Sequence, residues 1–182
     1  MWLRHLLSIA LLPFTVAVLV PIWIARAYGV VPSLGDGFAA WALQALGVAF
    51  LALGLVFFTT SLRRFATEGR GTLAPWDPPR ELVVRGPYRY VRNPMISGVL
   101  LVLLGESLVL RSAAHAAWTA CFLALNLVYI PLVEEPQLAR RFAASYLEYR
   151  RHVPRVVPRL RPWTPETNHT VRAKPGKRDG AG

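Results

Sequence analysis

Long apolar runs separated by short polar segments dominate the chain. They cover residues 6–24, 38–62, 94–110 and 113–133, and the second holds no charged residue. Each is close to the roughly 20 residues that a helix needs to cross the apolar core of a bilayer. The pattern therefore predicts an all-α fold, a polytopic membrane bundle of about four transmembrane helices.

The first run follows Arg4 and so resembles a secretory signal. It is longer than a usual signal core, and Pro13 and Pro21 suit a kinked membrane helix, whose freed carbonyl groups neighbouring helices can satisfy. We expect a retained membrane helix.

The polar segments set the connections between the predicted helices. Residues 63–93 are rich in glycine and proline and predict an irregular loop. Pro94 suits the start of a helix, where its missing N–H costs nothing. Only Arg111 and Ser112 separate the third and fourth runs, which predicts an antiparallel helical hairpin.

A different pattern begins after the fourth run. Leu138, Phe142, Tyr146 and Tyr149 are spaced by four, four and three residues, which predicts a cytoplasmic amphipathic helix over 135–151. Prolines at 154, 158, 162 and 165 prevent the helix from continuing. We expect one domain over residues 1–163 and a disordered basic tail over 164–182.

The net charge of +11 is unevenly distributed. Seven of the 21 basic residues lie at 63–92 and eleven at 140–178. With both termini cytoplasmic, 19 of the 21 lie on the cytoplasmic side, as the positive-inside rule favours. The charge therefore indicates orientation in the cytoplasmic membrane and contact with membrane lipids rather than nucleic acid binding.

Metal binding is not expected. The single cysteine, Cys121, lies in an apolar run and is expected to be a small core residue. The four histidines are scattered and show no ligand spacing.

Two polar motifs flank the predicted hairpin. The first, at 85–95, reads Arg-Gly-Pro-Tyr-Arg-Tyr-Val-Arg-Asn-Pro-Met, and the second, at 134–138, reads Glu-Glu-Pro-Gln-Leu. A hairpin brings them together, combining guanidinium groups and a helix N-terminus with paired carboxylates. Such a site suits a ligand that carries a carboxylate, an amine, a ribose and a flat base. Alternatively, the arginines anchor the protein to headgroups and pair with the glutamates.

These motifs, followed by Phe142, Tyr146, Tyr149 and Val153-Pro154-Arg155, resemble the isoprenylcysteine carboxyl methyltransferase family and its phospholipid methyltransferase relatives. The resemblance covers roughly residues 40–160. It implies S-adenosylmethionine-dependent methyl transfer to a lipophilic, membrane-borne acceptor: an isoprenoid, lipid or similar carboxylate, amine or hydroxyl compound.

The resemblance also implies a cofactor pocket formed by both motifs. It would comprise Arg80, Glu81, Leu82, Val83, Tyr88, Arg92, Asn93, Pro94, Met95, Ile96, Glu134 and Glu135. Glu134 is expected to accept from a cofactor hydroxyl or amine, with Glu135 the weaker candidate. Arg92 would shape the loop or neutralise the cofactor carboxylate. Many members have histidine in place of Asn93 and an aromatic residue in place of Ile96.

Acceptor binding is expected within the fourth run. Asn126 precedes Glu134 by eight residues and so shares roughly its helix face, although an interhelical hydrogen bond is an equal alternative. Ile130 stands where the resemblance places a substrate arginine in prenylcysteine enzymes, which argues against a free prenylcysteine carboxylate. Glu106 lies within a predicted membrane helix, where a carboxylate is costly, and is therefore a functional candidate. Its position near the outer end of that helix, away from the proposed site, favours a structural role.

Two other functions compete with methyl transfer. One is a noncatalytic membrane module that binds anionic lipid or a partner protein through its basic tail and amphipathic helix. The other is a sterol-reductase-like membrane enzyme, although the sequence has no Gly-x-Gly-x-x-Gly nucleotide fingerprint.

Overall fold

The computed structural model describes residues 10–32, 37–68 and 81–164. Within these ranges the extended regular elements are all helices, as the apolar pattern predicts. Arg80, residues 6–9 of the first predicted run and residues 165–182 of the predicted tail lie outside the described residues.

Five helices follow one another along the described chain. Their bounds are α1, π-helical at Ala10–Leu19 and α-helical at Val20–Ala27; α2, Phe38–Glu68; α3, Pro94–Val109; α4, Ala113–Tyr129; and α5, Glu135–His152. A short 3₁₀ helix at Gly86–Arg89 precedes α3, and a π-helical turn at Ile130–Glu134 joins α4 to α5.

Two of these helical stretches are long and apolar enough to cross a membrane. They are Phe38–Glu68 and the continuous stretch Ala113–His152, and only 17% and 11% of their most apolar windows are buried inside the protein. The exposed side chains include leucines, valines and aromatic residues, a surface that lipid tails match and water does not. Two shorter apolar helices cover Pro13–Ala27 and Pro94–Val109. The predicted count of four spans remains a prediction.

Helix α2 ends later than the apolar pattern predicts. It continues beyond residue 62 to Glu68, so the polar connection starts about two turns further on. An ion pair of 2.7 Å between Arg64 Nη1 and Glu68 Oε1, four residues apart, supports this added segment. The expected loop over 63–93 was therefore wrong at its beginning.

The fourth run continues into the amphipathic segment without an intervening loop, but the helix is kinked at Ala143, whose φ of 46° and ψ of −125° are not helical. Pro131 has no N–H to donate, and the chain accommodates it in the π turn without leaving the helix. At about 1.5 Å per residue, the part of this stretch before the kink at Ala143 already reaches roughly 45 Å, more than the roughly 30 Å apolar thickness of a bilayer. Only the apolar part, residues 113–133, can lie among lipid tails.

Helices α2 and α3 pack through facing glycines. A Cβ atom on Gly47 would lie 2.9 Å from the Gly105 carbonyl oxygen, and one on Gly54 would lie 2.7 Å from that of Gly98. The order of the two pairs shows that the helices are antiparallel. Small residues at this spacing let the two backbones touch, which is a common basis of helix association in membranes.

Side chains of α4 hold α1 in place. In the π-helical register the Val16 carbonyl would accept from the N–H of residue 21, but Pro21 has none. Trp118 Nε1 donates to the Val16 oxygen instead, at 3.1 Å. The buried His115 ring lies 3.1 Å from the Pro21 carbonyl oxygen through Nε2. The proline-containing helix α1 thus has the interhelical hydrogen-bond partners that a membrane helix with internal prolines requires.

Cys121 is exposed on α4, so the expectation of a core residue was wrong. In a membrane helix the outward face is as apolar as the packed one, and an apolar run does not distinguish them.

Replacing Gly54 by leucine should destabilise the bundle. The new Cβ would meet the backbone of Gly98 and Val102 at 2.7 and 2.8 Å, so the helices must separate. We expect a loss of about 2 kcal/mol, typical of overpacking, read as a lower midpoint of thermal unfolding in detergent. Ala52→Leu, at an exposed position of the same helix, is the control. Equal midpoints for the two variants would contradict close packing at this seam.

Candidate functional site

A cavity of about 1020 Å³ lies where α1–α5 meet the loop before α3. Its polar part is lined by side chains of that loop and of the α4–α5 junction, among them Tyr88, Arg92, Asn93 and Glu134. Its apolar part is lined by side chains of α1–α4, among them Val16, Phe58, Val99, Phe122 and Ile130. A polar and an apolar ligand group can therefore meet inside one enclosure.

The structure brings the predicted site residues together. Arg80 lies outside the described residues, and the others all line this cavity: Glu81, Leu82, Val83, Tyr88, Arg92, Asn93, Pro94, Met95, Ile96, Asn126, Ile130, Glu134 and Glu135. Residues more than 50 positions apart in the chain thus share one enclosure. The role of each remains a prediction.

The segment after α5 fastens the loop that carries the first motif. The backbone N–H of Arg92 donates to the Pro154 carbonyl at 2.8 Å, and that of Asn93 donates to the Arg155 carbonyl at 3.2 Å. The Asn93 side chain donates to the same Arg155 oxygen through Nδ2. Further along, the Trp163 N–H donates to the Arg89 carbonyl at 2.9 Å. We call residues 153–164 the strap, because they lie along the loop and bond it repeatedly.

The strap is a structural element that the sequence reasoning missed. Its prolines indicated only where the helix ends, and Val153-Pro154-Arg155 entered solely as part of a resemblance. The available signal was the position of Val153, four residues after Tyr149, since both belong to one buried cluster with Phe142 and Tyr146. Leu138, the first residue of the predicted apolar face, packs against this cluster.

Glu135 is the electrostatic centre of the site. Its buried carboxylate lies 3.0 Å from Arg92 Nη1, 2.7 Å from Arg155 Nε and 3.4 Å from Arg150 Nε. Burial acts to raise the pKa of Glu135, but the hydrogen bond from Arg155 and the nearby arginine charges outweigh it and hold that pKa below the usual range. One carboxylate therefore joins the loop, α5 and the strap.

Glu134 has the opposite environment. It lines the cavity, and no hydrogen bond or ion pair to its carboxylate occurs within the described ranges. Burial, reinforced by the Glu135 charge and opposed by Arg92, raises the pKa of Glu134 to about 7. The two adjacent carboxylates thus have different surroundings, one paired with arginines and one facing the cavity.

Tyr88 adds a second unpaired polar group to the cavity wall. Its side chain is 7% exposed, and its hydroxyl has no partner in the described part of the chain. Burial first, and then the Glu134 charge, raise the pKa of Tyr88, so its hydroxyl stays protonated. A buried hydroxyl without a partner costs free energy, and a polar ligand atom would remove that cost.

Arg92 contacts both α5 and the cavity. Its Nη1 atom is shared between Glu135 and the Tyr146 hydroxyl, which lies 3.2 Å away. Its Nε is buried without a partner among the residues described. Nη1 therefore contacts protein groups, whereas Nε is a buried donor without a partner in the described part of the chain.

Asn126 bonds within its own helix. Its Nδ2 donates to the Phe122 carbonyl at 2.8 Å, four residues earlier. No hydrogen bond to another helix occurs for this side chain in the described structure, so the interhelical alternative was wrong. Asn126 and the fully buried Ile130 both line the cavity.

Glu106 stands apart from this site. It lies in α3 and is not among the residues that line the cavity. Its Oε2 is buried and has no partner in the ranges that the structure describes. The same ranges contain no group of three or more His, Cys, Asp or Glu residues arranged to hold a metal ion.

Replacing Glu135 by glutamine should destabilise the protein, because three guanidinium groups would lose their counter-charge. Removing one partner of a buried ion pair costs about 3 kcal/mol, and the partial exposure of Arg150 and Arg155 reduces this figure. Because folding lowers the pKa of Glu135, its stabilisation is present at neutral pH and is lost as the pH falls through that lowered pKa.

Thermal unfolding in detergent between pH 7 and pH 3 measures this effect. The midpoint gap between wild type and Glu135→Gln should be large at pH 7 and close on acidification. Glu148→Gln, an exposed change on the same helix, is the control and should behave as wild type. A gap that does not vary with pH would contradict the charge network.

Comparison with known proteins gives concordant matches. The sequence model of the phospholipid methyltransferase family matches residues 42–145. The chain is 32% identical over 134 residues to Methanethiol S-methyltransferase 2 of Bradyrhizobium diazoefficiens, a match that covers 69% of this chain and 49% of that protein. The chain thus spans about half the length of the curated relative that it matches. No solved structure matches.

The family match includes the second apolar helix, the first motif, the hairpin and both glutamates, which together supply most of the cavity wall. It covers more than half of the 182 residues and confirms the family resemblance seen in the motifs. The chain belongs to the phospholipid methyltransferase family, whose membrane character its long apolar helices share.

Proposed function

We propose that this protein transfers a methyl group from S-adenosylmethionine to a lipophilic, membrane-borne acceptor. The observation that carries the proposal is the single cavity in which unpaired Glu134 and Tyr88 groups share a wall with apolar side chains of the helices. A charged, water-soluble cofactor needs the polar surroundings, and an apolar acceptor needs the apolar ones. Methyl transfer is also what the family name and the name of the relative have in common.

The unpaired groups of the polar part fit S-adenosylmethionine. The cofactor carries an ammonium group, a carboxylate, ribose hydroxyls and a flat base. Glu134 offers an acceptor for the ammonium group or a hydroxyl, while Tyr88 Oη and Arg92 Nε offer buried donors without partners in the described part. Glu135 is saturated by arginines and would support the site from behind.

The chemistry asks little of protein nucleophiles. When bound, S-adenosylmethionine supplies a methyl group on a sulfonium sulfur. The surrounding residues would fix the two reactants in line and exclude water, which are the main contributions of a protein to such a displacement. The strap matters here because it holds the loop of Tyr88, Arg92 and Asn93 rigidly against α5.

The distribution of basic residues indicates how the protein is oriented in the membrane. We infer that the polar part faces the cytoplasm, because the loop, α5 and the strap carry most of the basic residues of the described chain. The cofactor would then enter from the cytoplasm and the acceptor from the bilayer. Both termini would be cytoplasmic, and the protein would reside in the cytoplasmic membrane.

Cofactor binding by purified protein in detergent tests the proposal. Isothermal titration with S-adenosylmethionine should show saturable binding, and Glu134→Ala should weaken it at least tenfold, because a charge-assisted contact is worth roughly 1.5–3 kcal/mol. Glu148→Ala, an exposed carboxylate of α5, is the matched control and should leave the affinity unchanged. No binding by wild type, or no effect of Glu134→Ala, would favour the noncatalytic membrane module.

The affinity should depend on pH through Glu134. Its pKa of about 7 means that the carboxylate is largely protonated at pH 6 and largely charged at pH 8. Only the charged form attracts an ammonium group, so the dissociation constant should fall as the pH rises from 6 to 8 and then level off. Titrations across this range with wild type and Glu134→Gln measure it. An equally steep dependence in Glu134→Gln would assign the effect to another group.

A further inference from the structure

A row of three polar side chains lines the cavity on the side of α5. Glu134 lies just before that helix, and Gln137 and Arg141 follow three and seven residues later, so all three share one face. We call these residues the polar row. It carries a carboxylate at one end, an amide in the middle and a guanidinium group at the other end.

Arg141 has its whole guanidinium group available. It is half-buried and lines the cavity, and no hydrogen bond or ion pair to its side chain occurs among the residues that the structure describes. Arg92, by contrast, has its Nη1 atom paired with Glu135. Arg150 and Arg155 pair with the same carboxylate and do not line the cavity. Arg141 therefore offers all five of its N–H donors to a ligand.

The two charged ends of the polar row face the cavity without pairing with each other. Seven residues place Arg141 about 10 Å beyond Glu134 along the helix axis, and no ion pair joins the two within the described ranges. Side chains of a helix lean towards its N-terminus, and the long arginine side chain leans further than the glutamate side chain. A gap with opposite charges on its two sides therefore lies between them. The ammonium and carboxylate groups of an α-amino acid match those charges in one orientation only.

We propose that Arg141 binds the carboxylate of S-adenosylmethionine while Glu134 binds its ammonium group. This inference rests on the proposed methyl transfer and assigns an orientation to the cofactor, whose amino-acid part lies along α5. Tyr88 and the Nε atom of Arg92 are then left as donors for the ribose and the base. The carboxylate contact that the sequence offered to Arg92 thus belongs to a residue two helical turns after Glu134.

Removing one group from the ligand tests the assignment without changing the protein. Decarboxylated S-adenosylmethionine keeps the ammonium group, the sulfonium and the adenosine but lacks the carboxylate. Titration calorimetry of purified protein in detergent at pH 7.5 should give it a dissociation constant roughly fivefold higher than that of S-adenosylmethionine, as expected for a charge-assisted contact that water partly screens. Equal dissociation constants for the two ligands would overturn the inference. Absence of S-adenosylmethionine binding would instead remove the proposed function beneath it.

Arg141→Gln tests which residue supplies the contact. This variant should bind S-adenosylmethionine roughly fivefold more weakly and the decarboxylated ligand as wild type does, so the two dissociation constants become equal. Arg141→Lys keeps the charge but loses the planar fork, and it should retain part of the difference. An equal loss of affinity for both ligands would give Arg141 a structural role and overturn the inference.

Two other arginines of α5 are the matched controls. Arg140 also lines the cavity but lies about 100° around the helix from Arg141, and Arg151 is exposed and does not line the cavity. Arg140→Gln and Arg151→Gln should both keep the difference between the two ligands. Its loss in Arg140→Gln would move the carboxylate contact to Arg140 and overturn the assignment. Should Arg141→Gln not fold, Arg141→Lys with the same two ligands still decides it.

Discussion

Three guanidinium groups converge on the buried carboxylate of Glu135, and the site depends on that convergence. Arg92 comes from the loop before α3, Arg150 from α5 and Arg155 from the strap. Arg92 and Glu135 are both nearly buried, and either charge without a partner there would be costly. Arg150 and Arg155 are partly exposed and add weaker attraction to the same carboxylate, and backbone hydrogen bonds fasten the strap to the loop.

Glu134, next to this paired glutamate, has a different environment. The two residues are adjacent, yet the Glu135 carboxylate is paired with arginines, whereas the Glu134 carboxylate faces the cavity and has a pKa of about 7. A group held in an environment that opposes its charge is a frequent mark of a functional site. The buried Tyr88 hydroxyl likewise has no hydrogen-bond partner among the described residues. Both are consistent with a cavity formed around a polar ligand.

The membrane-facing part of the molecule supports the site in a different way. Facing glycines bring α2 and α3 into backbone contact, and α4 holds α1 through Trp118 and His115. These contacts leave the space between the helices open at the end where α3 begins and α4 ends. The cavity therefore has apolar walls formed by closely packed helices, which suit a lipophilic acceptor.

Sequence alone determined the elements whose cause is local. The apolar runs, Pro94 and the short turn at Arg111 predicted the hairpin. The spacing of Phe142, Tyr146 and Tyr149 predicted a buried face, because residues three or four positions apart lie on one side of a helix. The hairpin in turn predicted that the two motifs would meet. Tertiary structure decided what depends on distant partners: the strap, the continuation of α2 and α4, and the exposed side of Cys121. It also decided which of two adjacent glutamates is paired, because only packing brings Arg92, Arg150 and Arg155 to one carboxylate.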